Sequence, residues 1–458
     1  MLMEINAPSS TDIFRGNEIQ VTEKNKAAKD AHENQGVDAH NDLGSPVLSA
    51  EQQSALELIN MGQNVFVTGG AGTGKSFLIR QFLKDHDAKS FPVLASTGAA
   101  AVLVGGRTFH SFFALGILEG GVEATIAKAM SDRRLRKRLN QVQGIVIDEV
   151  SMIDGVILAA AEEIARRVRK SPEVWGGIQV IAVGDFFQLP PVVIGRGRER
   201  PWAFLHPVWQ RTAFRSVVLQ ENLRAAEDAE LVQTLARVRQ GQITDEVRLF
   251  LDRHVRMCDN SASLRLYPRR AQADEYNRGR LAELPGEEIQ IASLYSGSPR
   301  GIDQLKRAAP IAEELVFKVG AQVMLRQNDP LQRWVNGSLG IVKYYEPGKL
   351  MIELRSGYVV SLDKADFTLL DADGNALAIA SNYPLNLAYA TTIHKAQGAT
   401  LDHMVVDLRS LWEPGHAYVA MSRVRRSEDL FIVGWDEHSI RVDKAVIDYY
   451  GQLAQEAV

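Results

Sequence analysis

Short uninterrupted apolar runs alternate along this chain with longer stretches in which apolar side chains recur every three or four positions. Val65-Phe-Val67 leads into an amphipathic pattern that reaches Leu83. Pro92-Val-Leu-Ala-Ser96, Gly144-Ile-Val-Ile-Asp148 and Gln179-Val-Ile-Ala-Val183 have the composition of strands buried on both faces. Between the last two, Ile157, Ala161, Ile164 and Val168 share one helical face, and Glu162–Arg166 and Glu163–Arg167 stand in the favourable i,i+4 order. Leu48-Ser-Ala-Glu-Gln52-Gln53 opens another helix, with a Ser N-cap and a side chain able to reach back to it, and turns Leu56 and Ile59 inward. Strands alternating with helices predict a parallel, doubly wound sheet whose functional residues gather at the strands' C-terminal ends.

The second half repeats the alternation, with strand candidates at Val217–Leu219, Leu264–Tyr267, Leu385–Tyr389, Met404–Asp407 and Phe431–Val433. Over residues 326–383 the pattern changes to short alternating strands with Gly and Asp turns, at Gly340–Tyr344, Met351–Leu354 and Tyr358–Leu362. That segment predicts a small β-barrel-like insertion. No repeat of solenoid length is present.

At 458 residues the chain is too long for one ordinary core. Its apolar (45%) and charged (24%) fractions are those of a soluble globular protein, and no apolar stretch is long enough to span a membrane. The single cysteine, Cys258, excludes an internal disulfide framework and a cysteine-based zinc site, and suits a reducing, intracellular compartment. The residues after Met1 show no secretion or import signal. Residues 1–45 are polar and aperiodic and are expected to be a disordered tail. Residues 1–47 carry 4 Lys/Arg against 8 Asp/Glu, the whole formal charge of −4, so the remainder is neutral. A neutral body can still hold a basic channel, so charge does not decide for or against a nucleic-acid partner. The run Arg133, Arg134, Arg136, Lys137 and Arg138 reads as a solvated helix face.

The chemistry begins at Gly69-Gly-Ala-Gly-Thr-Gly-Lys75-Ser76, which matches G-x-x-x-x-G-K-[S/T] between a strand and a helix. Gly70, Ala71, Gly72, Thr73, Gly74, Lys75, Ser76 and Phe77 are therefore the candidate nucleotide-binding residues. Glycines let the backbone turn several N–H groups onto a phosphate chain, and the helix N-terminus adds its positive end. Lys75 reaches for the β- and γ-phosphates and Ser76 for Mg²⁺. Asp148-Glu149 ends a buried strand: Asp148 can hold the metal, and Glu149 can orient and deprotonate an attacking water. Gln188, after the next strand, either bonds the γ-phosphate or its attacking water, or is an ordinary loop amide. These residues predict a bound nucleoside triphosphate with Mg²⁺, and hydrolysis as the reaction.

Seven motifs occur in order: the phosphate loop, Ala95-Ser-Thr-Gly-Ala-Ala100, Ile147-Asp-Glu-Val-Ser-Met152, Gly184-Asp-Phe-Phe-Gln-Leu-Pro-Pro191, Leu219-Gln-Glu-Asn-Leu-Arg224, Ala390-Thr-Thr-Ile-His-Lys-Ala-Gln-Gly-Ala-Thr400 and Ala417-Tyr-Val-Ala-Met-Ser-Arg423. Together they resemble the helicase motifs of the Pif1 family, close to the RecD branch of superfamily 1B, over residues 48–434. The resemblance implies two RecA-like lobes: the first over 46–212 with a wedge insertion at 109–128, the second over 213–325 and 384–458, with an SH3-like insertion at 326–383. It implies that Gln52 reads the adenine edge, with Gln53 beside it as the other candidate. It implies that Arg224 and Arg423 are arginine fingers delivered from the second lobe, and that Gln397 and Gly398 couple the nucleotide and DNA sites. Ser96, Thr97, His110, Thr392, His394 and Lys395 match the family's strand-contacting positions. Phe109, Phe112 and Phe113 fall where the family has its wedge, with core packing as the alternative, while Trp202, Phe204 and Trp209 read as core.

The activity so implied is an ATP- and Mg²⁺-dependent 5′-to-3′ DNA helicase acting on single-stranded DNA and on forked or 5′-tailed duplexes, in DNA repair, recombination and telomere maintenance. The competing readings are a translocase without processive unwinding and a nucleotide-dependent signalling ATPase. A monomer is expected, with single-strand binding or replication and repair proteins as partners. The expected location is the cytoplasm or nucleoid for a prokaryotic source, and the nucleus or mitochondrion for a eukaryotic one.

Overall fold

The computed structural model describes residues 48–103, 106–116, 121–191, 200–256, 263–329, 331 and 333–456. The tail expectation and Cys258 lie outside the described residues.

Six strands form the first sheet: β1 (Val65–Gly69), β2 (Val93–Ala95), β3 (Arg107–Thr108), β4 (Gly144–Asp148), β5 (Gln179–Val183) and β6 (Arg215–Leu219). Their order is β3-β2-β4-β5-β1-β6, and every pairing is parallel. β1 thus lies between β5 and β6, so the phosphate loop at its end sits beside the loops that follow β5 and β6. β1 is wholly buried and β4 nearly so, as their unbroken apolar runs require. Ile157, Ala161, Ile164 and Val168 pack inward from the helix Gly155–Arg169.

The second parallel sheet comprises β7 (Leu264–Tyr267), β18 (Ala390–Thr392), β19 (Met404–Asp407) and β20 (Leu430–Gly434), in the order β18-β7-β19-β20. Between β7 and β18 the chain inserts antiparallel strands. β8 (Ile289–Ala292) pairs with β10 (Glu314–Phe317). β11 (Gln322–Leu325), β12 (Leu339–Glu346), β13 (Lys349–Leu354), β14 (Val359–Leu362) and β17 (Leu385–Leu387) form a five-stranded sheet around its own core. β15 (Ala365–Leu370) and β16 (Ala376–Asn382) make a hairpin that pairs with β9 (Leu294–Gly297). The α/β architecture is therefore two parallel lobes carrying antiparallel insertions.

Four placements differ from the sequence expectation. β6, placed at the start of the second lobe by its position after residue 212, hydrogen-bonds along the whole length of β1 and closes the first sheet. The antiparallel part begins at β8, well before residue 326, because β8 to β11 find their partners inside the insertion. The helix Lys444–Glu456, expected with the second lobe, returns to the first: Val446 joins its core, and the Trp209 indole N–H donates to Tyr449 Oη at 2.9 Å. Finally, Phe109, Phe112 and Phe113 are fully buried in that core, so the packing alternative holds and none presents an edge to a duplex.

Arg138, expected on a solvated face, is also buried. It donates to Phe112 O at 2.7 Å and to Asp373 at 2.6 Å, in the turn between β15 and β16. Arg107 donates to Ala372 O at 2.7 Å in the same turn, and Gly98 lies close enough to Ala308 that an added Cβ would meet it at 2.8 Å. The β15–β16 hairpin thus straps the insertion to the first lobe. No helix among the described residues is long and apolar enough to cross a membrane.

Candidate active site

The phosphate loop leaves β1 at Gly69 and enters the helix Lys75–Lys84 through Gly74. Gly72 and Gly74 have φ of +84° and +82°, and a Cβ there would sit 2.6 Å from Arg224 Cβ and 2.4 Å from Gln52 Nε2. Glycine is required by backbone conformation and by close approach alike. Lys75 Nζ donates to Gly69 O at 2.9 Å and Gly70 O at 2.8 Å. Desolvation holds its pKa below the ordinary lysine value, opposed by the carboxylates of Asp185 and Glu149. Thr73 Oγ1 donates to Gly70 O, and the Ala71 N–H to Tyr418 Oη at 2.7 Å. Ser76 stays exposed at the helix start, with Phe77 half-buried beside it. Gln52 is 2% exposed; its Oε1 accepts from Ser49 N and its Nε2 donates to Thr73 O at 3.3 Å. Gln53 faces solvent toward Glu57, so Gln52 is the one that meets the loop.

β4 delivers Asp148 and Glu149 to the same edge. Glu149 adopts a left-handed backbone (φ 51°, ψ 48°) and its N–H donates to Asp148 Oδ1 at 3.0 Å. A non-glycine residue held there is strained, and in this conformation the Glu149 carboxylate meets Gln397. Burial raises both acids above the usual carboxylate range, Glu149 to about 7 with the Asp148 charge adding to the effect. An exposed Ser76 hydroxyl and a desolvated Asp148 carboxylate are donors that fit a hard divalent cation such as Mg²⁺.

Residues from the second lobe meet this edge. Gln397 Nε2 donates to Glu149 Oε2 at 3.1 Å and to Gln188 Oε1 at 3.4 Å, while Gly398 beside it has φ +78°. Arg423 is 1% exposed; it donates to Val419 O and Ser422 Oγ, both at 2.6 Å, and burial lowers its pKa to about 9. Arg224 differs from the expectation. It sits on the connection after β6, and that connection is pinned to the phosphate loop by Asn222 Nδ2 donating to Ala71 O (3.1 Å) and Leu223 N to Gly72 O (2.9 Å). Only its guanidinium crosses over, donating to Ser422 O at 2.9 Å. The two arginines therefore approach from different parts of the chain, and the nearby Arg224 charge adds to the depression of the Arg423 pKa.

A family model for a PIF1-like helicase matches residues 47–248. The chain is 51% identical over 407 residues to the ATP-dependent DNA helicase Pif1 of Bdellovibrio bacteriovorus, covering 89% of this chain and 92% of that one. The chain belongs to the Pif1 helicase family. The ATP-dependent DNA helicase PIF1 of Danio rerio is 35% identical over 89% of this chain, which spans 64% of its length. The structure of Bacteroides sp. Pif1 in complex with ADP-AlF4 superposes with a TM-score of 0.78 at 28% identity, covering 90% of this chain and 98% of that one; Bacteroides Pif1 bound to ssDNA gives 0.63 at the same identity and coverage.

In this Pif1-family chain the six remaining site candidates lie after β2 and β3 of the first lobe and at the end of β18 of the second. Ser96 and Thr97 follow β2, one strand beyond β4; Ser96 Oγ lies 3.7 Å from Met152 Sδ, and Thr97 Oγ1 accepts from Ala100 N. His110 stands in the short helix after β3, its pKa lowered by burial. Thr392 ends β18 and caps the helix Ile393–Ala396 by accepting from Lys395 N, with His394 and Lys395 opening to solvent. Desolvation, with Arg270 and Arg326 nearby, lowers the Lys395 pKa. Arg270 and Arg326 were invisible to motif reading because neither lies in a recognisable pattern. Arg326 is 7% exposed, and its Nε has no hydrogen-bond partner among the described residues.

Proposed function

We propose that this chain is an ATP-dependent DNA helicase that moves 5′ to 3′ along single-stranded DNA and opens forked or 5′-tailed duplexes. The observation that carries this reading is the position of Gln397. It touches Glu149 and Gln188 across the lobe boundary, and it lies five residues after Thr392 on the segment that also bears His394 and Lys395. One short stretch therefore links the hydrolytic edge to the exposed His394 and Lys395.

In this reading Lys75 and the loop amides hold the triphosphate of ATP, Gln52 borders its base, and Ser76 with Asp148 holds Mg²⁺. The metal supplies charge neutralisation at the phosphates. Glu149 accepts the proton of the attacking water, Gln188 orients that water, and Arg224 and Arg423 neutralise charge on the transferring phosphoryl group, a task suited to a planar, permanently charged donor. Hydroxyls and helix-start amides at Ser96, Thr97 and Thr392, with His110, His394, Lys395, Arg270 and Arg326, hold the DNA backbone without reading sequence. A differential affinity of ATP for the closed crevice drives stepping. The likeness to named DNA helicases and to an ssDNA-bound neighbour supports this assignment.

The test is unwinding of two duplexes that differ only in whether the single-stranded overhang is 5′ or 3′, with Lys75→Ala as the inactive control. Unwinding of the 5′-tailed duplex alone is expected. Preference for the 3′ tail overturns the direction, and ATP turnover indifferent to single-stranded DNA overturns the motor.

A further inference from the structure

Arg239 is the last residue of the helix Ala229–Arg239, whose Leu231, Leu235 and Val238 are buried in the second lobe's core. Its side chain leaves that lobe. Nε and Nη2 donate to Asp185 Oδ2 and Oδ1 at 3.1 and 2.8 Å, and Asp185, in the loop after β5 of the first lobe, is completely buried. The guanidinium also lies over two rings, 4.4 Å from the Phe187 centroid and 5.1 Å from that of Tyr450. Those rings stack on each other at 4.6 Å.

Tyr450 comes from the C-terminal helix Lys444–Glu456 and extends the contact to the phosphate loop. Its hydroxyl is 2.5 Å from Thr68 Oγ1, one residue before Gly69, and accepts from Phe186 N at 3.3 Å. Asp185 in turn holds Gln188: its carbonyl accepts from Gln188 N at 2.9 Å, and its Oδ2 lies 3.4 Å from Gln188 Nε2.

We propose that Arg239 is a positioning residue for ATP hydrolysis, tying the loop that carries Gln188 to the second lobe and, with Tyr450, to the base of the phosphate loop. The proposal rests on the ATPase reading above. The chemistry explains why arginine occupies the position. A planar fork takes both carboxylate oxygens at once while its flat face lies against aromatic rings, and a lysine ammonium, a point charge with no plane, cannot do both together. A carboxylate with both oxygens so engaged moves with its partner, so a shift of the second lobe carries Asp185 and, through it, Gln188. The C-terminal helix becomes part of the hydrolytic apparatus, although no recognised motif reaches it.

Four variants test this: Arg239→Lys, Arg239→Gln, Tyr450→Phe, and the double variant Asp185→Asn/Arg239→Gln, which removes both buried charges together so that folding does not depend on an unpaired carboxylate. ATP turnover is measured with and without an oligothymidylate, alongside KM for ATP and the melting temperature. In Arg239→Lys and the double variant, DNA-stimulated kcat is expected to fall about tenfold or more with KM within about threefold of wild type, the signature of a group acting on the chemical step rather than on ground-state binding. Tyr450→Phe, which keeps the ring, is expected to lose about threefold in kcat. The proposal is overturned if Arg239→Lys and the double variant keep wild-type turnover, or if kcat falls only in step with a lowered melting temperature and a raised KM. Wild-type protein without DNA stimulation signals instead that the motor reading itself has failed.

Discussion

Replacing Gln397 by alanine removes the amide that joins the second lobe to Glu149 and Gln188. The bond to Glu149 Oε2 is 3.1 Å long, and that to Gln188 Oε1 is 3.4 Å, near the limit of a useful interaction. A hydrogen bond to a carboxylate is worth about 1.5–3 kcal/mol and a long amide–amide bond about 0.5 kcal/mol. Gln397 is only half-buried, so water replaces part of what is lost. A net coupling loss of about 1.5–2.5 kcal/mol remains, which is about 10- to 70-fold in rate. The assay is steady-state ATP turnover with and without an oligothymidylate, together with oligonucleotide affinity from fluorescence anisotropy. DNA-stimulated turnover is expected to fall by that factor, basal turnover by much less, and oligonucleotide affinity to stay within about threefold. If basal and stimulated turnover fall equally, Gln397 serves the chemistry alone and does not carry coupling. If neither falls, the link between the sites lies elsewhere.

Arg326→Ala removes a buried cation from beside Lys395; single-stranded DNA binding is expected to weaken, and the slope of log affinity against log salt to drop by about 0.7, measured by anisotropy titrations. Phe113→Ala empties a fully buried site and is expected to cost about 3–5 kcal/mol in denaturant unfolding, while Phe113→Leu keeps base pairs opened per ATP unchanged; a selective loss of that ratio would restore the wedge role. His416 is buried against His394 and Trp412, with Glu413 nearby, and burial lowers its pKa from 6.5 to about 4. A depressed value means that its contribution is complete above pH 6.5 and is lost as pH falls toward 4, on the order of 3 kcal/mol. Melting temperature should therefore drop across that window, and His416→Leu should flatten the drop.

The elements that local pattern specifies were legible without a structure. Gly144–Asp148, Gln179–Val183 and Met404–Asp407 coincide with their predicted limits because a strand buried on both faces must be an apolar run, and Leu264–Tyr267 does so because buried Leu264 and Leu266 alternate with half-buried Arg265 and Tyr267. The phosphate loop was equally plain, since its glycines answer a backbone requirement that acts over a few residues. The Ser49–Gln52 capping box is local in the same way.

Local pattern supplies the set of parts: an α/β chain, a nucleotide cradle, an acidic pair ending a strand, and the order of the motifs. Which lobe owns each part is settled by packing alone. β6 joins the first sheet, the C-terminal helix returns to that lobe, and Arg138 and Arg239 become bridges where a charge run and an unremarked helix end had stood. The physical reason is range. Backbone conformation and periodicity are settled by neighbours a few residues apart, whereas strand pairing, burial of a charge and its choice of partner depend on residues hundreds of positions away, which the chain brings together only when it packs.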